Sequence, residues 1–253
     1  THTHTYIHTY IHTYIHIICI VHLLQVQGKC NLHATDTKGG GILHATAEHG
    51  HSSTLRYAVS AYGIPTNLPR TSDGKYPLHI AAGSGSTLCV KELVELGAQR
   101  SVTDKGGCWT PLHYAAVHGH MGAAEALLVA TDFSGGLDAG TGEEEDLLLT
   151  VGRAIVNVFA EEPSIAQRLL LKSAVGGSLA VHEASAAGRT ECLKFLLERE
   201  PSLTSSLVEA RKKNGETPLM TSAKNGQEDT LKFLLSLGAD VAARDFDDRQ
   251  VAG

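Results

Sequence analysis

The chain has 253 residues, with 21 lysines and arginines against 27 aspartates and glutamates, for a formal charge of −6. Its cations are scattered, which excludes the basic patch or stripe of a nucleic-acid-binding module, and no apolar run reaches the ~20 residues of a membrane helix. Cys19, Cys30, Cys89, Cys108 and Cys192 lie far apart and never form a Cys-x-x-Cys pair, so they supply neither a disulfide framework nor a zinc site and suit a reducing, cytoplasmic setting inside the cell.

Residues 1–22 stand apart as a low-complexity tract. Positions 1–16 are built from Thr, His, Tyr and Ile, ending in the repeated unit Thr-Tyr-Ile-His. A reading frame through a repeated ACAT tetranucleotide encodes that unit, so the tract reads as a translated microsatellite, disordered or artefactual. The functional alternative is a metal tract, because His4, His8, His12 and His16 would share one face of a helix. Thr, Tyr and Ile form helices poorly and nothing offers support behind the imidazoles, which favours the first reading.

From residue 23 the pattern changes. Leu23-Leu24-Gln25-Val26-Gln27-Gly28 looks like the end of a helix whose upstream part is lost, since Leu93–Gly97 and Leu234–Gly238 have the same form. Asp36 to Asn67 gives a first complete unit, with one helix over Leu43–His49 and a second over Ser52–Tyr62, where Leu55, Ala58 and Val59 share a face. Its glycine-rich turn, Gly39–Gly41, lacks the Gly-Lys-Ser/Thr of a phosphate loop. A second unit, Leu68 to Thr103, has helices over Pro77–Gly83 and Thr87–Leu96, with Leu88, Leu93 and Val94 expected inward. A third opens at Asp104, with a turn one residue longer and helices over Pro111–His118 and Met121–Ala130. The spacing then fails. Residues 134–142 read as a glycine-rich loop, Glu143–Asp146 as an acidic run, and Leu147–Ala160 and Pro163–Lys172 as helices, so that 131–174 is expected to hold a loop and a degenerate repeat. Two further units follow, with helices over Thr190–Arg199 and from Pro218, joined by a long link at Pro201–Lys213. Asp245–Asp248 starts another turn. A chain that opens on Thr1 and stops inside a new unit reads as a fragment.

Thr110-Pro111-Leu112-His113-Tyr114-Ala115-Ala116 states the unit most fully. Thr110 is placed to cap, proline suits the first helical position, and Gly119 suits an exit through positive φ. Tyr76-Pro77-Leu78-His79 lies 34 residues earlier, and Gly41-Ile42-Leu43-His44, Leu179-Ala180-Val181-His182 and Thr217-Pro218-Leu219-Met220 vary the same theme. A helix this short cannot stand alone, and a fixed period near 34 marks stacked units. These residues resemble the ankyrin repeat family over most of 23–253. The resemblance implies an all-α solenoid of helix–turn–helix repeats with β-turn fingers, in which the recurring His44, His79, His113 and His182 bond to backbone between neighbouring fingers.

It also implies a function without a reaction: a monomeric scaffold that holds a partner protein on its concave face. No cofactor, metal, nucleic acid or membrane is expected, and no nucleophile elbow, His-Glu-x-x-His or acid–base pair stands out. Carried over by position, the partner-binding residues are Lys75, Tyr76, Trp109, Asn214 and Glu216 on the fingers, and Ser84, Val117, His118, Lys224 and Asn225 on the inner helices. Trp109, the single tryptophan, is the expected anchor. The alternative from another class is the targeting segment of a larger kinase, ubiquitin ligase or acyltransferase.

Overall fold

A computed structural model describes residues 34–129, 164–247 and 249–250. The histidine tract, the helix end at 23–28, the glycine-rich loop, the acidic run and the helix expected over 147–160 lie outside the described residues. Within them the chain forms twelve α-helices and no strand.

The helices come in pairs. The inner members are α1 (Ile42–Glu48), α3 (Pro77–Ser84), α5 (Pro111–His118), α8 (Ala180–Ala186) and α11 (Pro218–Lys224); the outer members are α2 (Ser52–Tyr62), α4 (Thr87–Glu95), α6 (Met121–Leu128), α9 (Thr190–Arg199) and α12 (Glu228–Ser236). Short elements α7 (Ile165–Leu170) and α10 (Thr204–Val208) lie between pairs. Each inner helix packs on the next inner helix, α1–α3–α5–α8–α11, and each outer helix on the next outer one. Leu43, Leu78, Leu112 and Leu219 occupy one slot in successive units and are all but sealed from water, with Val181 in the same slot of α8. Burying one such side chain contributes roughly 1.5–3 kcal/mol, so five in line hold helices that could not form singly.

One local expectation is corrected. Leu88 does not point inward: it is 65% exposed, while Cys89, Val90, Leu93 and Val94 are buried. At 100° per residue Leu88 sits about 140° around the helix from Leu93, off the apolar stripe. The long link after α9 holds structure of its own. A 3-10 turn (Pro201–Leu203) leads into α10, which buries Leu207 and Val208 and is tied down where the Thr204 hydroxyl donates to Leu197 O at 2.8 Å.

Between the third and fourth units α5 packs directly on α8, and the Val175 N–H donates to Gly107 O at 2.8 Å across the two fingers. Most of 131–174, where a loop and a degenerate repeat are expected, lies outside the described residues. The only described helix of that stretch, α7, starts at a Ser164 cap that accepts from the Gln167 N–H and packs against the outer helix α6. Among the described residues the line of inner helices therefore runs directly from the third unit to the fourth.

The fingers form their own ladder. Ser72 N–H donates to Lys38 O, Lys105 to Asp73 O, Val175 to Gly107 O, Lys213 to Gly176 O and Phe246 to Asn214 O, at 2.7–3.1 Å. The third finger is closed by Asp104 N–H donating to Trp109 O, one residue longer than the closures Asp36–Gly40 and Lys212–Glu216; the second, Arg70–Lys75, is equally long. Each turn needs one residue at positive φ three places before the helix. Gly74 fills it at φ 71°, and a Cβ there would stand 2.5 Å from Lys105 Cγ and 3.0 Å from Lys105 N. In the third finger the same place holds Cys108, at φ 52°, where an L side chain costs roughly 1–2 kcal/mol. Gly74→Ala is expected to destabilise by at least about 1–2 kcal/mol, and Cys108→Gly to stabilise by about 0.5–1 kcal/mol after the flexibility cost of glycine. Urea unfolding of both variants against the parent checks both signs.

Candidate partner-binding surface

Four of the five inner helices carry, at their third position, a histidine that faces two ways. Its Nδ1 accepts the backbone N–H of the residue before the helix: Gly41 to His44, Tyr76 to His79, Thr110 to His113 and Leu179 to His182, at 3.1–3.3 Å. Its Nε2 reaches the next finger, at Lys75 O, Trp109 O, Ser178 O and Ala210 O, at 2.9–3.1 Å. Since Nδ1 accepts, Nε2 carries the hydrogen and donates. The expected backbone bond between fingers is therefore present in all four units, and the bond from His113 again passes over 131–174. Thr110 departs from expectation. Its hydroxyl does not cap a backbone N–H but lies 2.8 Å from His113 Nδ1. Where Met220 replaces the histidine, the Thr217 hydroxyl takes the capping role and accepts the Met220 N–H at 3.3 Å.

Burial pushes all four imidazoles below their ordinary pKa, His79 and His182 to about 4. They are structural groups held neutral. Among the described residues no three His, Cys, Asp or Glu side chains gather where they could hold a metal ion. Cys89 and Cys192 are buried, and burial raises their thiols to about 11, so neither offers a thiolate nucleophile. No helix among the described residues is long and apolar enough to cross a membrane.

One cluster of the expected residues comes together at the second and third fingers. The Trp109 ring lies 5.2 Å from that of Tyr114 and 6.0 Å from that of His113. The Tyr114 phenol donates to Asp104 Oδ2 at 2.7 Å, and Lys75 Nζ stands 4.5 Å over the Tyr114 ring, a cation–π contact. Tyr76 stacks at an angle on His79, 5.7 Å away. Burial alone would raise Asp104, but bonds from Tyr114 and from the N–H groups of Trp109 and Gly107 outweigh it and hold the carboxyl below its usual value. The Tyr114 phenol is raised by burial and by that carboxylate. Trp109 is half-buried, with one face on this cluster and the rest open.

The other expected residues are spread along the array. Ser84 is exposed but turns its hydroxyl onto Ala47 O at 3.1 Å, tying α3 to α1. Val117 is half-buried and His118 exposed, its ring 5.9 Å from that of His120. Asn214, Lys224 and Asn225 are exposed. Glu216 is the exception: expected at a finger tip, it is 6% exposed and lies under Lys224 (2.8 Å) and Lys212 (3.8 Å). Its carboxylate anchors the finger and is not open to a partner. Sequence reasoning missed Tyr114, whose ring joins Trp109 to Lys75. The signal was its place directly after the helix-opening histidine, where the side chain faces the neighbouring finger.

The comparison with known families fits this geometry. The profile described as "Ankyrin repeats (3 copies)" matches residues 14–104, 43–134 and 154–245. The chain belongs to the ankyrin repeat family. Mouse NF-kappa-B inhibitor zeta is 25% identical over an alignment of 257 positions, covering 86% of this chain and 34% of the relative. Mouse NF-kappa-B inhibitor delta is 35% identical over 127 residues, 45% of this chain and 37% of its own. An Arabidopsis thaliana protein named as a candidate E3 ubiquitin-protein ligase is 36% identical over 93 residues, 37% of this chain and 20% of the relative. The chain thus spans about a third of the length of the zeta inhibitor, and the ligase likeness covers a part of the array alone.

In this ankyrin array the depressed histidines have a consequence for stability. Between about pH 6.5 and 4 the unfolded chain binds protons that folded His79 and His182 refuse. Their contribution is therefore complete above pH 6.5 and is lost as pH falls toward 4, at up to about 1.4 kcal/mol per pH unit for each group. Urea midpoints measured from pH 7.5 to 4.5 should fall steeply below 6.5. His182→Gln, which keeps a donor and an acceptor but does not titrate, should show a shallower fall.

Proposed function

We propose that this chain is a protein-interaction scaffold that seats a partner protein on the concave face, centred on Trp109. The observation that carries the reading is the Trp109–Tyr114–Lys75 cluster: a partly open indole held in place by two rings and a finger hydrogen bond. A rigid, half-exposed aromatic loses little entropy on binding and offers a large apolar area, which is why such residues dominate interfaces. Lys75, Tyr76, Val117 and His118 flank it on the second and third units; Asn214, Lys224 and Asn225 extend the face toward the fifth. Ser84 serves the stack as well as the surface.

Two relatives bear the name of NF-kappa-B inhibitors, so a protein of the NF-kappa-B kind is the first partner to try. The ligase-named relative keeps open the second reading, in which the array targets an attached enzyme; here no residue is assigned a reaction. Pull-down with the full chain as bait, followed by mass spectrometry, identifies the partner. Trp109→Ala is expected to weaken that partner by about tenfold or more, the range of a hot-spot truncation, while lowering Tm by only a few degrees. Unchanged affinity would remove Trp109 from the interface.

A further inference from the structure

The finger ladder places one residue of each unit in the same position, the one whose N–H donates to the finger before it. In order these are Ser72, Lys105, Val175, Lys213 and Phe246. The last four alternate cation, apolar, cation, apolar. All five are exposed, and Val175 and Phe246 are bare to 65% and 75%, which no buried contact of the stack explains. Lys105 and Lys213 make no ion pair among the described residues, and their side-chain stems lie across the turn of the preceding finger, where Lys105 Cγ passes Gly74 and Lys213 Cγ passes Gly177.

Lys105 and Lys213 keep their charge on this edge although the chain is acidic overall, because the carboxylates of Asp104, Glu216 and Asp245 are turned inward and the exposed Asp247 is paired with Arg249. Asp104 takes the N–H groups of Gly107 and Trp109 and the Tyr114 phenol. Asp245 takes those of Asp247 and Arg249, and Glu216 takes Lys224 and Lys212. All three are buried. The third and fifth fingers thus use an anion to shape their own turns and leave Lys105 and Lys213 facing water.

We infer that this outer finger edge is a second docking surface, separate from the Trp109 face, and that it takes an extended acidic protein segment with interleaved apolar residues. Adjacent units stack roughly 10 Å apart, the spacing of packed helices, and an extended chain advances about 3.3 Å per residue. A segment lying along the edge would therefore meet one finger about every three residues. It would set a carboxylate against Lys105, an apolar side chain against Val175, a carboxylate against Lys213 and an apolar side chain against Phe246. A nucleic acid fits less well: its phosphates recur every few ångströms, whereas these ammonium groups recur only at every second finger and apolar side chains stand between them.

The test uses the full chain and a fluorescein-labelled peptide, Glu-Ser-Ser-Leu-Ser-Ser-Glu-Ser-Ser-Leu, read by fluorescence anisotropy. Binding is expected that weakens with salt, and the same peptide with lysine at both glutamate positions should not bind. The pairs Lys105→Glu with Lys213→Glu, and Val175→Ser with Phe246→Ser, should each raise Kd by about tenfold or more with unchanged far-ultraviolet circular dichroism. Trp109→Ala should leave peptide affinity within about twofold of the parent, which separates failure of this surface from failure of the Trp109 face. Equal binding of the acidic and basic peptides, no binding of either, parental affinity in both paired variants, or tighter binding of a single-stranded oligonucleotide than of the peptide would each overturn the inference.

Discussion

The structure depends on one side chain used the same way four times. An imidazole at the third position of a short helix closes the start of its own helix through Nδ1 and joins the next unit through Nε2. The first bond satisfies a backbone donor ahead of the helix; the second converts a stack held by non-directional apolar contact into one with fixed register. Burial costs the histidine its charge, and the neutral tautomer is the one with a donor and an acceptor on opposite sides. A cation in that slot would place Nδ1–H against a backbone N–H. Met220 shows the limit of this device in the fifth unit, where Thr217 restores the cap and the Arg211 guanidinium, not an imidazole, reaches onward to Arg244 O at 2.7 Å.

Because register is carried by bonds between neighbours, the array tolerates a long excursion. The histidine bond, the finger bond and the inner-helix contact all pass from the third unit straight to the fourth. Among the described residues the third unit ends at α6 and the chain is next described at α7, which packs on α6, while the stack itself is continuous. A quasi-one-dimensional protein permits this, since each unit needs only the two beside it.

The same economy shapes the surface. Asp104, Glu216 and Asp245 are taken up in holding their turns, which takes Glu216 off the open surface, while Lys105 and Lys213 stand exposed at the outer edge. The aromatic cluster at Trp109 is rigid because Asp104, which closes the longer third finger, also holds Tyr114. Finger shape and finger chemistry are thus one arrangement, and the two candidate surfaces lie on opposite limbs of it.

Local sequence determined the inner and outer helices nearly to the residue, the glycine exits and the longer third finger, because caps, prolines and apolar spacing act within a few positions. The role of the histidines and the finger positions of Trp109, Lys75 and Tyr76 followed from the resemblance to the ankyrin family. Tertiary structure alone decided three things. Leu88 faces out because the stripe of α4 is set by its contact with α2 and α6. Glu216 is buried because two lysines from different elements close over it. The third and fourth units meet directly, through α5 on α8 and the Val175 N–H on Gly107 O, although 131–174 lies between them in the chain. A spacing of nearly two periods cannot reveal that choice: it counts residues, whereas the stack counts contacts.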